Sequence, residues 1–276
     1  GEHDLNLDQS HLERIITKKT KAIIPVHLAG YGTNKEEIVA FAKDRKLFVI
    51  EDAAHAVGST FKGKALGTFG DIGCYSFFSN KNLVTGEGGM LVTDNIAIYE
   101  KARLFRSHGI SKTSLDKVRG VSLDYDVSEL GYNYRMTELC AALGICQLVK
   151  LEKNNHKRRE LTGRYRTNLS SMPFLAIPFL HNLTHSSCHI FPILLDKTLN
   201  RNRIISKLKE AGVQTSIHYP PVHKFTLYSG LSHYPLPKTE DVSKREITLP
   251  LHPLLKERDI DDICNILLRI IREEIK

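Results

Sequence analysis

Residues 74–89 (CYSFFSNKNLVTGEGG) carry a lone lysine, Lys81, out of an apolar stretch and straight into a glycine-rich turn. An ammonium partly buried among apolar neighbours is poorly solvated, so its pKa falls and more of it is the free amine. A free amine is what an imine-forming lysine needs. Taken by itself, Lys81 reads as a surface lysine on a turn. Support comes from Asp52, 29 residues earlier, where a second apolar run ends. By itself Asp52 reads as a strand-end acid capping its own turn. Together the two match a specific chemistry. A lysine that holds an aldehyde, and a separate carboxylate that keeps a pyridine nitrogen protonated, are what pyridoxal phosphate (PLP) requires, because the protonated ring takes up electrons from a substrate carbanion.

These residues need elements to hold them. Residues 21–28 (KAIIPVHL) read as a buried strand, and Asn34 with Glu37 three residues later forms an N-terminal capping pattern, which predicts a helix to about Lys43. Residues 47–50 (LFVI) predict a second strand ending in Glu51 and Asp52. Strand, helix, strand over so short a stretch implies a parallel βαβ unit, and ligands bind at the carboxyl ends of such strands. Residues 72–78 and 89–93 predict further strands, and residues 96–106 a helix. Residues 137–169 have helical spacing, with Leu139, Leu143, Leu148 and Leu151 as apolar positions. Beyond the proline-punctuated residues 172–178, a strand at 190–195, a helix at 201–211 and a closing helix from about Arg258 are expected.

Composition narrows the classes. At 276 residues, 41% of them hydrophobic, the chain is long enough for one large domain or for a main domain with a smaller companion. A formal net charge of +8 favours anionic partners such as phosphates and nucleotides. The basic residues are spread along the chain with no aromatic-interleaved basic tract, so no nucleic-acid partner is expected. Five cysteines, an odd number without Cys-x-x-Cys spacing, indicate neither a disulfide framework nor a zinc ribbon and fit a reducing, cytoplasmic setting. No apolar run nears the roughly 18 residues of a membrane span, so no membrane association is expected. His181, His185 and His189 are spaced by four, but a strand follows them and no metal is expected there.

Residues 51–56 (EDAAHA), residues 76–89 and residues 131–138 (GYNYRMTE) resemble, in order and spacing, three signature blocks of the DegT/DnrJ/EryC1/StrS family of PLP-dependent sugar aminotransferases. A looser similarity runs from Leu5 through residues 218–221 (HYPP) and 249–252 (LPLH). The resemblance implies an α/β fold, the PLP-dependent transferase fold type I of the aspartate aminotransferase kind. It implies a mostly parallel-sheet large domain over residues 1–155, with its N-terminal portion missing, and a smaller α+β C-terminal domain over residues 156–276. It further implies that Lys81 forms the imine, that Asp52 partners the pyridinium, and that His55 lies beside the cofactor's phenolic oxygen and ring. Ser76 would bind the phosphate, and Asn133 would reach the phosphate of a neighbouring subunit's cofactor, which makes a homodimer the expected assembly. From its own surroundings Asn133 reads as a loop asparagine satisfying its turn. His218 and Tyr219, stiffened by two prolines, resemble the family's strip near the substrate, and a purely structural pair remains an equal reading. Arg106 and residues 108–109 match a recurrent family segment without an assigned step.

The implied reaction moves an amino group, from glutamate, to a nucleotide-linked keto-sugar, as in aminosugar and surface polysaccharide biosynthesis. Dehydratases of the same fold carry histidine in place of the imine lysine, and Lys81 is present. The sequence opens on Gly1, whereas the resemblance implies a preceding stretch with a small-residue turn for the cofactor phosphate and an aromatic residue against its ring. The expectation is therefore of a shortened chain with an uncovered sheet edge or apolar face. A non-catalytic remnant or regulatory partner of the same fold is the alternative.

Overall fold

The computed structural model describes residues 4–33, 35–111, 120, 125–231 and 234–275. A short helix α1 (Gln9–Ile15) leads into β1 (Ala22–Ile23), α2 (Lys35–Asp44) and β2 (Phe48–Asp52). Strand β1 is shorter than the predicted 21–28 because Pro25 lacks the N–H that a continuing ladder needs. The chain beyond it returns to the sheet at a single bridge between Val26 and Asp52. Asn34, the expected cap of α2, lies outside the described residues. A small hairpin, β3 (Thr60–Phe61) and β4 (Lys64–Ala65), precedes β5 (Ile72–Ser76) and β6 (Gly89–Val92).

The main sheet has the order β1-β2-β5-β6. The first two pairings are parallel and β6 runs antiparallel to β5, so the sheet is mixed. Its N-terminal side is packed by Leu12, Ile23, Ile38, Phe41, Ala42 and Val49, where the apolar stripes of α1 and α2 meet β1 and β2. Strand β5 passes very close to the turn at residues 66–70: a Cβ on Gly73 would lie 1.8 Å from the Gly67 carbonyl oxygen, so only glycine fits.

Helix α3 (Ile96–Arg106) begins where the spacing predicts because the Asn95 side chain accepts from the N–H groups of Ala97 and Ile98. Helix α4 (Glu138–Leu169) is capped by Thr137, which accepts from Cys140 N–H. Its apolar positions divide sharply. Leu139 and Leu148 are 84% and 60% exposed, whereas Leu161, Tyr165 and Leu169 are buried.

Those buried residues face a second, antiparallel sheet of order β7-β8-β9, made of β7 (Leu175–Ala176), β8 (Phe191–Leu195) and β9 (Glu246–Leu249). Every residue of β8 is buried, as its unbroken apolar run requires. Helices α5 (Arg201–Glu210) and α7 (Glu257–Ile275) close this core with Ile204, Leu208, Ile260, Leu267 and Ile271. Each such side chain contributes roughly 1.5–3 kcal/mol of burial. Helix α6 (Pro237–Arg245) leads into β9. Among the described residues no helix is long and apolar enough to cross a membrane.

Candidate active site

Parallel pairing puts Asp52 opposite Cys74, so β2 and β5 finish at the same edge of the sheet. Past that edge β2 continues into residues 53–58, with His55, and β5 continues through Ser76 into the turn with Lys81. Both chemical groups named from the sequence therefore come from neighbouring carboxyl ends. Asp52 is fixed by its backbone: its N–H donates to Pro25 O at 2.9 Å, its carbonyl accepts from His27 N–H at 3.0 Å, and its Oδ1 accepts from Ala54 N–H at 3.0 Å.

Glu51 points to the other face and is buried. It accepts from His27 Nε2 at 2.8 Å and from the N–H groups of Gly67, Phe69 and Gly70 at 2.9, 2.6 and 2.7 Å. Burial pushes its pKa up, but the His27 and backbone hydrogen bonds outweigh that and leave it lowered. His27 Nδ1 accepts from Thr33 N–H at 3.4 Å, so its single proton in the neutral form sits on Nε2, facing Glu51. Glu51 thus ties the 67–70 turn to β2, and Asp52 is left for the site.

Lys81 is half-buried, its N–H bonded to Phe78 O at 2.9 Å across a tight turn. Burial draws its pKa below the ordinary lysine value while the charge of Asp52 pulls it back up. Beside them, His55 is buried and accepts at Nδ1 from Ala29 N–H at 3.3 Å. Its other nitrogen, Nε2, therefore carries the proton and donates to Tyr219 Oη at 3.0 Å. Burial, then the nearby Lys81 and His218, press the His55 pKa down to about 3, so the ring is neutral.

The segment carrying His218 and Tyr219 is brought to this edge from the C-terminal sheet. His218 N–H donates to Glu246 Oε2 at 2.8 Å, and its Nδ1 lies 2.8 Å from Thr248 Oγ1. Thr248 gives its own hydroxyl proton to Glu246 Oε1 at 2.5 Å, so its oxygen accepts from His218. Burial raises the Glu246 pKa to about 7 against the opposing pull of Thr248, the His218 N–H and Arg201.

Ser76 is half-buried at the end of β5, and its hydroxyl accepts from Phe78 N–H at 3.3 Å. Asn133 is exposed and paired with Ser107, on a segment where Tyr132 N–H and Tyr134 N–H donate to Phe105 O and Arg106 O. Residues 106–109, to which the sequence assigns no step, therefore serve as the bed for residues 131–135. Gly109, at φ +69°, and Gly131 touch so closely that a Cβ on Gly131 would lie 2.0 Å from the Gly109 nitrogen. Residues 181–190 are not helical: His185 bridges to Thr60, and the His189 ring packs 4.2 Å from that of His55. The spacing of four in the sequence does not gather the three histidines. The part Glu246 plays has no signal in the sequence, because His218, whose N–H it accepts, lies 28 residues away.

The donor set fits PLP at its reactive and ring ends: a half-buried amine, a carboxylate one strand over, and a neutral His55 that adds no competing charge. At the phosphate end the chain offers the Ser76 hydroxyl. Residues 2–268 match the model of the DegT/DnrJ/EryC1/StrS aminotransferase family. The chain belongs to this family. Family members similar to it include the GDP-perosamine synthase of Escherichia coli, 38% identical over 258 residues, which cover 92% of this chain and 67% of the relative. The spore coat polysaccharide biosynthesis protein SpsC of Bacillus subtilis is 37% identical over 98% of this chain and 72% of its own length. Among solved structures, Helicobacter pylori PseC, an aminotransferase involved in the biosynthesis of pseudoaminic acid, superposes with a TM-score of 0.89 at 32% identity, covering 97% of this chain and 71% of that one. The family member described here has the α/β architecture of PLP-dependent transferase fold type I.

Proposed function

We propose that this chain transfers an amino group to a nucleotide-linked keto-sugar, with PLP held on Lys81, as part of aminosugar or surface polysaccharide biosynthesis. The observation that carries the reading is Lys81, half-buried with a lowered pKa, in the turn beyond β5, the strand paired with the one whose end bears Asp52. Similar proteins are named as a GDP-perosamine synthase and a UDP-aminosugar transaminase, and these names support a nucleotide sugar as the acceptor.

Bound PLP supplies a protonated aromatic ring that accepts electrons from the substrate carbon. Lys81 Nζ would hold the cofactor through its aldehyde carbon, and as a free amine it would be the base for the proton on the donor's α-carbon. The lowered pKa suits this, since a larger share of Nζ is unprotonated near neutral pH. Asp52 holds the proton on the ring nitrogen. His55, neutral and fixed at both nitrogens, packs the site without adding charge and orients Tyr219. The Tyr219 hydroxyl accepts from His55, so its own proton is available to a substrate oxygen, and His218 is the second group facing the substrate. Ser76 holds the phosphate, and Asn133 reaches the phosphate of the second subunit of a homodimer. Glutamate is the amino donor and the cytoplasm the setting.

The test is amine formation from nucleotide-linked keto-hexoses with glutamate and PLP. The chain is expected to turn over and Lys81→Ala is not. Turnover by folded Lys81→Ala at the rate of the unaltered chain contradicts the reading.

A further inference from the structure

Asn82 comes directly after Lys81, and its side-chain amide makes three contacts of 2.8 Å to partners far away in sequence: Asn155 Oδ1, the Ser187 carbonyl and His189 Nδ1. Two carbonyl oxygens that can only accept fix the orientation of this amide. Asn155 Nδ2 donates to Val57 O at 3.0 Å, so Asn155 Oδ1 must be the atom facing Asn82. The Ser187 carbonyl lies against Asn82 Nδ2, so Asn82 turns its Oδ1 to His189. An amide oxygen only accepts; His189 therefore carries its proton on Nδ1.

His189 is itself held rigidly. It is buried, its N–H donates to Ala29 O at 3.0 Å, and its carbonyl accepts from the Arg158 guanidinium at 3.0 Å. Its ring lies 4.2 Å from that of His55. Burial, with His55 and Lys81 next in order, pushes its pKa far down, so this ring too is neutral. Asn155 is fully buried in α4. The residue after Lys81 is thus tied to the turn beyond β2, to the long helix, and to the strand entering the C-terminal sheet.

We propose that Asn82 and His189 are positioning residues that clamp the turn presenting Lys81 and keep its amine at the half-buried depth its chemistry requires. The inference deepens the reading of Lys81 as the cofactor lysine. With the clamp released, the turn relaxes outward and the amine regains water, which moves its titration back towards that of an ordinary lysine.

The test is the pH dependence of acetylation of Lys81 by acetic anhydride in the cofactor-free full chain, read by mass spectrometry of the peptide that contains it. His189→Leu and Asn82→Ala are expected to raise the Lys81 midpoint by about one pH unit. His189→Asn, which keeps an N–H donor near the Nδ1 position, is expected to stay at the original midpoint. An unchanged midpoint in folded His189→Leu, or His189→Asn behaving like His189→Leu, overturns the proposal. Should the leucine variant not fold, the unaltered chain decides by nitrogen-15 NMR of its histidines. A neutral His189 with its proton on Nδ1 supports the clamp, and a proton on Nε2 or a charged ring at neutral pH overturns it. Because no cofactor or substrate is present, this outcome stands apart from that of the turnover assay.

Discussion

Glu51 and Asp52 are adjacent in sequence and lie on opposite faces of β2, since successive side chains of a strand alternate. Glu51 is surrounded by four donors in the interior, and Asp52 opens to the site. Their replacements therefore fail differently. Glu51→Ala leaves buried N–H groups without an acceptor and is expected to cost about 3–5 kcal/mol, read as a fall in the denaturation midpoint. Asp52→Asn is expected to keep the melting temperature and to lower kcat by about a hundredfold or more, the scale of removing one preorganised charge. Acid sensitivity belongs to this scale too. The His55 pKa falls from 6.5 to about 3 on folding, so between those values the unfolded chain binds the extra proton. Its contribution is complete above pH 6.5 and is lost as pH falls, by up to about 1.4 kcal/mol per unit. Glu246 has the opposite sign, because its raised pKa favours the folded state below 4.5 and that advantage fades as pH rises through about 7. Thermal melts in a pH series should show stability dropping as pH falls below about 6.5, because Glu246 offsets only one of the two histidines held neutral, His55 and His189, and His55→Asn should make that drop shallower.

The elements are legible in the sequence where local signals decide them. Helix α3 has the expected bounds because Asn95 caps it locally, and β2, β5 and β6 end within two residues of prediction. The run at residues 21–28 overstates β1, because Pro25 breaks a stretch that apolar content alone extends. The proposed catalytic pair Lys81 and Asp52 can be chosen from residue type and strand ends, but the network behind them cannot. Asn82 meets Asn155, Ser187 and His189 only after α4 and the β8 approach have folded over the turn. We propose that the boundary between the two domains falls within α4 near Asn155, since Leu151 packs with Phe77 and Leu83 while Leu161 belongs to the C-terminal core. Close backbone approaches are equally hidden from the sequence. Gly73→Ala should destabilise by about 1–3 kcal/mol, because the obstructing atom is the backbone oxygen of Gly67 and cannot swing aside. A lowered melting temperature without loss of secondary structure checks this.

At the scale of the molecule, the single chain exposes large apolar side chains. Leu130, Leu139 and Val149 are 84–85% exposed, and Tyr134 and Ile145 are nearly as open. Apolar side chains so open mark an interface, and the proposed homodimer supplies one. Sedimentation velocity should show a dimer, and Leu139→Glu with Val149→Glu should shift it to monomer. A monomer at all concentrations contradicts the dimer. The central claim, that Lys81 is the residue on which PLP is held, is tested most directly by incubating the chain with PLP, reducing with borohydride and mapping the modified peptide. The account predicts a stable pyridoxyl group on Lys81, absent from Lys81→Ala. Folded protein that takes up no label, or label on another lysine with Lys81 unmodified, contradicts it.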